Sequence, residues 1–210
     1  MIPRLHIITD DLVLGRDDFD FQARRVMEAG GEDLVFHLRG PRTGGRALYS
    51  LARGLKGPSE ATGCTMLVND RVDLALALDL SGAHLGQRSL PPRAGREILG
   101  PRRILGLSVH GAKEALEGPT GVVDFLLVGS VFPSRSHPAG LPGGVGLIQE
   151  VRKTGSAPPV AIGGITPERV EQVRQAGAHG VAVLGGIWDA GDPKAAVEVY
   201  LEELAKGRGT

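Results

Sequence analysis

Two patterns of apolar residues alternate along this chain. Short apolar runs occupy 5–9, 34–39, 65–68, 82–85, 104–109, 122–128, 160–162 and 181–184. Runs of this length, rich in Val, Ile and Leu, predict strands buried on both faces. Between them, apolar residues recur three or four apart. That spacing predicts helices over 19–29, 46–55, 71–77, 94–99, 112–117, 145–153, 167–176 and 192–206. In 19–29, Phe21, Val26 and Met27 are expected to face inward. Gly30-Gly31 and Gly177 stand where the pattern stops, and Thr166-Pro167 reads as an N-cap followed by proline at the first helical position. Strict strand–helix alternation argues for a parallel sheet covered by helices, and eight such units close a barrel. The expected fold class is therefore α/β, a (β/α)8 TIM barrel spanning 1–210 as a single compact domain. A doubly wound open sheet would want a glycine-rich turn after the first strand, where Thr9-Asp10-Asp11 stands instead.

In such a barrel the C-terminal ends of the strands form the active face. Gly163-Gly164 and Gly185-Gly186 follow the last two strands. Glycine pairs there leave backbone N–H groups uncovered, with helix N-termini behind them, and such groups can wrap a phosphate. One pair alone would read as a tight turn; two in successive units favour an anion site. The other polar residues at strand ends are Asp10, His37, Arg39, Asn69, Asp70, His84, Gln87, Ser108, His110, Ser130 and His137. His37 and Arg39 lie two apart and share a face, and an inward arginine needs an anion, while His37 reads equally as a satisfied core histidine. Asn69-Asp70 reads as a ligand-binding pair, or Asp70 simply caps the next helix. Ser108 and His110 also share a face, but no third acid stands at a telling spacing, which favours binding by the hydroxyl over nucleophilic attack. His137 lies in the long loop 132–144, a lid or a solvent loop. His6 and His179 read as structural.

Composition narrows the function classes. Lysine plus arginine and aspartate plus glutamate both number 24, so a general attraction to nucleic acid or anionic membrane is not expected. The single cysteine, Cys64, excludes an internal disulfide and fits a reducing, cytoplasmic setting. No apolar run is long enough to span a bilayer, and the chain opens on a strand without a signal-peptide layout. No zinc-ligand spacing, P-loop or dinucleotide fingerprint occurs.

Taken together, Ile7-Ile8-Thr9-Asp10, His37-Leu38-Arg39, Val68-Asn69-Asp70-Arg71, Ala83-His84-Leu85-Gly86-Gln87, Gly106-Leu107-Ser108-Val109-His110, Gly129-Ser130-Val131-Phe132-Pro133 and Ala161-Ile162-Gly163-Gly164-Ile165 resemble the thiamine phosphate synthase/TenI family, in order and through nearly the whole chain. The resemblance implies a TIM barrel that holds a thiazole phosphate on the glycines after the last two strands. It implies substrate contacts from Arg39, Asn69, Asp70, Gln87, Ser108, Gly163, Gly164, Gly185 and Gly186, and a homodimer, with Ile187 and Trp188 at the interface or lining the barrel.

The synthase of this family joins a pyrimidine pyrophosphate to the thiazole phosphate. It usually carries a Gln-x-Arg-x-Lys motif after strand two, a second aspartate after Gly-Gln, and a lysine in the strand-six loop. Here those places hold His37 and Pro41, Ser89, and His137. All three departures fall on neutralising pyrophosphate, which wants Mg²⁺ and cations. The pattern thus looks like the TenI branch, a thiazole tautomerase using a histidine acid/base and no cofactor. The tautomerases place that histidine directly after the strand-six glycine, where this chain has Ser130; His37, His110 or His137 would have to serve. The alternative implied is a divergent synthase with Mg²⁺ on Asp70, and the third a non-catalytic binder of thiazole or thiamine phosphate.

Overall fold

The computed structural model describes residues 1–117, 121–134 and 141–206. Eight strands, β1 (Leu5–Ile8), β2 (Leu34–Leu38), β3 (Thr65–Asn69), β4 (Gly82–Leu85), β5 (Ile104–Val109), β6 (Phe125–Val128), β7 (Pro159–Ile162) and β8 (Gly180–Val183), pair in chain order. All pairings are parallel, and β8 returns to β1 to close the barrel. The helices are α1 (Asp11–Leu14), α2 (Phe19–Gly30), α3 (Gly45–Thr62), α4 (Val72–Ala77), α5 (Pro92–Leu99), α6 (Ala112–Glu117), α7 (Gly144–Lys153), α8 (Val170–Gln175), α9 (Gly185–Trp188) and α10 (Pro193–Ala205). This is the (β/α)8 barrel expected from the alternation. Among the described residues no helix is long and apolar enough to cross a membrane.

Strand residues alternate between two cores. One side packs outward against the helices, as Leu5, Ile7, Phe36 and Val68 do. The other fills the barrel with Ile8, Val35, Leu67, Phe125, Leu127, Val160 and Ala182. A side chain at Gly106 would overlap Phe125, so only glycine lets that ring cross the interior.

The structure corrects four expectations. Phe21 is 61% exposed and not inward. The buried face of α2 is Phe19, Ala23, Val26, Met27 and Gly30, and Phe21 sits on the opposite side, where Arg25 lies over its ring. The second helix does not stop at 55 but runs through Pro58 to Thr62. Proline leaves the carbonyl four residues back without its donor, and Arg24 Nη2 donates to that Gly54 carbonyl at 3.3 Å. Ile187 and Trp188 are buried, at 0% and 2% exposure, and are not available to an interface. The indole lies against Phe19 and Phe36, and its Nε1 donates to the Ile8 carbonyl at 2.8 Å. The sixth strand begins at Phe125 and not at 122, because the Asp124 carboxylate accepts from the Leu105 amide and from Arg96.

Candidate functional site

β3 delivers Asn69 to the barrel mouth, and the chain then turns sharply. Asp70 has φ +62°, a left-handed conformation rare outside glycine. Its amide donates to the His84 carbonyl at 2.8 Å. Its carboxylate does not cap α4, which has no side-chain cap. Oδ1 instead accepts from the Gly86 amide at 2.8 Å and from the Ser89 hydroxyl. The bend after β3 is thus braced by the loop after β4, with the exposed carboxylate at the strand end.

Arg39 follows β2. Thr9 fixes its backbone: the Arg39 amide donates to Thr9 Oγ1 at 2.9 Å, and that hydroxyl donates to the Arg39 carbonyl at 2.8 Å. The half-buried guanidinium forms no ion pair among the described residues. It lies near enough to His84 to help hold that imidazole well below its ordinary pKa, after burial and His37. A guanidinium so placed has its donors free, among the described residues, to meet an anion, as arginine's planar fork suits carboxylate and phosphate.

The histidines divide. His37 is buried, lies 2.9 Å from His6 and 3.3 Å from Asn69, and burial brings its pKa down to about 4. It is neutral near pH 7 and lies beneath the mouth, poorly poised as an acid/base. His110 is open, with its side chain 54% exposed. Its Nδ1 lies 2.8 Å from Gln87 Nε2 and 3.3 Å from Glu114 Oε2, and its amide donates to Glu114 at 2.8 Å. Burial works against the Glu114 carboxylate, but hydrogen bonds from the His110 amide, Gln87 and the His110 ring hold it below its ordinary range. Ser108 is not paired with His110. Its Oγ lies 2.8 Å from His84 Nε2, deeper in the barrel. His137 lies outside the described residues.

Three of the four candidate glycines have mechanical reasons to be glycine. Gly163 and Gly164 have φ of +101° and +61°, and a side chain on either would overlap Ser130 Oγ or the Pro133 carbonyl. Gly186 leaves room for the Tyr200 hydroxyl, which donates to the Ile165 carbonyl at 2.9 Å. Gly185 would meet only Asp189. Ser130 therefore packs on Gly163, and its hydroxyl donates to the Phe132 carbonyl at 3.1 Å. Arg169 stacks over Phe132 at 4.5 Å and donates to the Gly164 carbonyl at 2.7 Å, which fixes the turn. With the described residues in place, Gly163, Gly164 and Gly185 are half-buried and Gly186 is exposed. Among the described residues, the amides of all four donate to no loop or cap acceptor.

Sequence reasoning passed over Glu114 and gave His84 no role. Glu114 was findable as the acid four residues beyond His110 on the following helix. His84 was visible as a strand-end histidine, but its pairing with Ser108 two strand residues beyond Gly106 depends on barrel register. A groove of about 590 Å³ opens at the opposite end of the barrel, between Arg152, Pro158 and His179, and contains none of the candidate residues.

A closed parallel barrel whose C-terminal mouth carries an arginine without an ion pair among the described residues, an aspartate in the left-handed conformation and half-buried to exposed glycines defines a (β/α)8 protein with its polar groups gathered at the active face of that fold. A family model described as thiamine monophosphate synthase matches residues 5–187. The chain belongs to this thiamine phosphate synthase/TenI family, which places it among proteins of thiamine biosynthesis. It is 38% identical over 199 residues to the thiamine-phosphate synthase of Desulfitobacterium hafniense strain Y51, covering 94% of this chain and 95% of that one. It is 36% identical over 204 residues to that of Moorella thermoacetica, covering 97% and 96%. The solved thiamine phosphate pyrophosphorylase from Pyrococcus furiosus superposes with a TM-score of 0.83 at 29% identity, covering 98% and 97%.

Proposed function

We propose that the chain is an enzyme that binds a thiazole phosphate at the barrel mouth and joins it to a pyrimidine pyrophosphate, releasing pyrophosphate. The relatives named thiamine-phosphate synthase support this transfer over the isomerase reading, since they match over more than nine-tenths of both chains. The observation behind the chemistry is the pair of opposite charges at the mouth: Asp70, braced by Gly86 and Ser89, and Arg39, without an ion-pair partner among the described residues. In this reading the glycine amides at 163–164 and 185–186 take the thiazole phosphate. Arg39 meets the pyrophosphate, and Asn69, Gln87 and Ser108 orient the substrates.

Mg²⁺ takes oxygen ligands and is commonly held by one or two carboxylates plus substrate phosphates. Asp70 fits that role, because Oδ2 has no hydrogen bond among the described residues. Bound there, Mg²⁺ would neutralise charge building on the leaving pyrophosphate. Ser89 contributes indirectly by holding Asp70 with its hydroxyl.

A second reading, the proton-moving isomerase, is favoured by that same Ser89, which replaces a second carboxylate, and by the open His110–Glu114 pair. His110 is the described histidine exposed enough to act as acid/base. A single assay separates the two. Pyrophosphate release is measured with pyrimidine pyrophosphate and thiazole phosphate, with and without Mg²⁺. Robust Mg²⁺-dependent release supports the transferase. Its absence, with conversion of the carboxylated thiazole phosphate to its aromatic isomer, would replace it by the isomerase; neither activity, with binding retained, would leave the non-catalytic binder.

A further inference from the structure

The barrel interior holds three buried imidazoles, His6, His37 and His84, gathered round Phe125. Two of them form a chain that ends at the mouth. His6 Nε2 lies 3.1 Å from the Pro3 carbonyl, His6 Nδ1 lies 2.9 Å from His37 Nε2, and His37 Nδ1 lies 3.3 Å from the Asn69 amide oxygen. The direction of this chain is fixed at its lower end. A carbonyl only accepts, so His6 carries its proton on Nε2. In the neutral ring Nδ1 is then bare, and His37 Nε2 must donate to it. That leaves His37 Nδ1 bare as well. A bare ring nitrogen facing an amide oxygen sets two lone pairs against each other. A half-turn about the Asn69 χ2 exchanges oxygen and nitrogen without changing the shape of the side chain. The amide nitrogen then donates to His37, and the oxygen turns away from it.

The opposite polarity needs one extra proton on the pair. Both rings are fully buried and burial lowers both pKa values; among the described residues their hydrogen-bond partners are each other, a carbonyl and an amide, and their ring neighbours are Phe125 and His84, none of them a carboxylate. Nothing there compensates a buried charge. Asn69 is the last residue of β3, and its second amide atom has no hydrogen bond among the described residues yet is not sealed from solvent, so the atom turned from His37 is the one open at the strand's mouth end.

We propose that His6 and His37 are positioning residues that lock Asn69 with its carbonyl oxygen toward the mouth, where it selects a ligand group that donates a hydrogen bond, an amino or a hydroxyl. What Asn69 meets rests on the proposed ligand site; the tautomers do not.

The test is ¹⁵N spectroscopy of the histidine side chains in the full chain without substrate, near pH 7. The expected result is a proton on Nε2 and a bare Nδ1 in both His6 and His37, with His6→Phe assigning the pair. In Asn69→Asp the donor is replaced by an acceptor, and His37 is expected to gain a proton on Nδ1. A wild-type His37 protonated at Nδ1, or an Asn69→Asp protein with His37 Nδ1 still bare, overturns the proposal. If Asn69→Asp does not fold, the wild-type spectrum decides alone. The readout uses no substrate, so it stands or falls separately from the proposed reaction.

Discussion

Asp70→Asn removes one charge from the mouth and leaves the shape intact. Asparagine is, after glycine, among the residues that best tolerate the φ of +62° found here. Its amide oxygen can still accept from the Gly86 amide and the Ser89 hydroxyl. Each bond falls from charge-assisted strength, about 1.5–3 kcal/mol, to neutral strength, about 0.5–1.5 kcal/mol. Two bonds therefore lose at most about 3 kcal/mol, and solvent at this exposed site makes it less. In a domain of this size that is a Tm decrease of less than about 12 °C. The catalytic consequence is larger if Asp70 holds Mg²⁺, because metal stabilisation of a leaving pyrophosphate supplies several kcal/mol. A loss of about 3 kcal/mol is roughly a hundredfold in rate. Pyrophosphate release, followed across a Mg²⁺ titration, should fall at least about 100-fold in Asp70→Asn at the wild-type optimum. Retention of the wild-type rate within about threefold would refute the metal role of Asp70 and the transfer mechanism built on it. Asp70→Ala is the control for shape, since alanine at this φ costs about 1–2 kcal/mol more and loses both bonds.

Arg39→Gln should leave thermal stability unchanged, because among the described residues no ion pair is broken, and weaken pyrophosphate binding by roughly 10- to 100-fold in calorimetry. Gly186→Ala should lower stability by about 2–4 kcal/mol, from a methyl forced against Tyr200 and Val183 and a disturbed Tyr200–Ile165 bond, readable in urea unfolding. Stability should also depend on pH through the buried imidazoles. His37 has a folded pKa of about 4, below its ordinary 6.5, so the unfolded chain binds the extra proton first. Its contribution is present above about pH 6.5 and is lost as pH falls toward 4, at up to about 1.4 kcal/mol per pH unit. His6 and His84 act in the same direction. Urea midpoints that stay flat between about pH 6.5 and 4.5 would contradict burial of neutral rings.

Periodicity alone determined the barrel, because a strand buried on both faces and a helix buried on one leave different repeats in the chain. It also placed Asp70, Arg39, Ser108 and the glycine pairs at strand ends, since the sites of a parallel barrel lie where its strands finish. It could not assign partners. Phe21 looked apolar enough to face inward, but the face of α2 is chosen by what packs on it. The helix expected over 46–55 continues through Pro58, and only a side chain from the neighbouring helix, Arg24, answers the Gly54 carbonyl. Asp70 could have capped α4; a contact with Ser89, nineteen residues on, decided otherwise. His37 read equally as a mouth histidine or a satisfied core histidine; the barrel register decides for the core, placing it beside His6, thirty-one residues away, under full burial. Local pattern fixes which faces are apolar, but the state of a polar side chain depends on the neighbours that closure of the barrel brings to it.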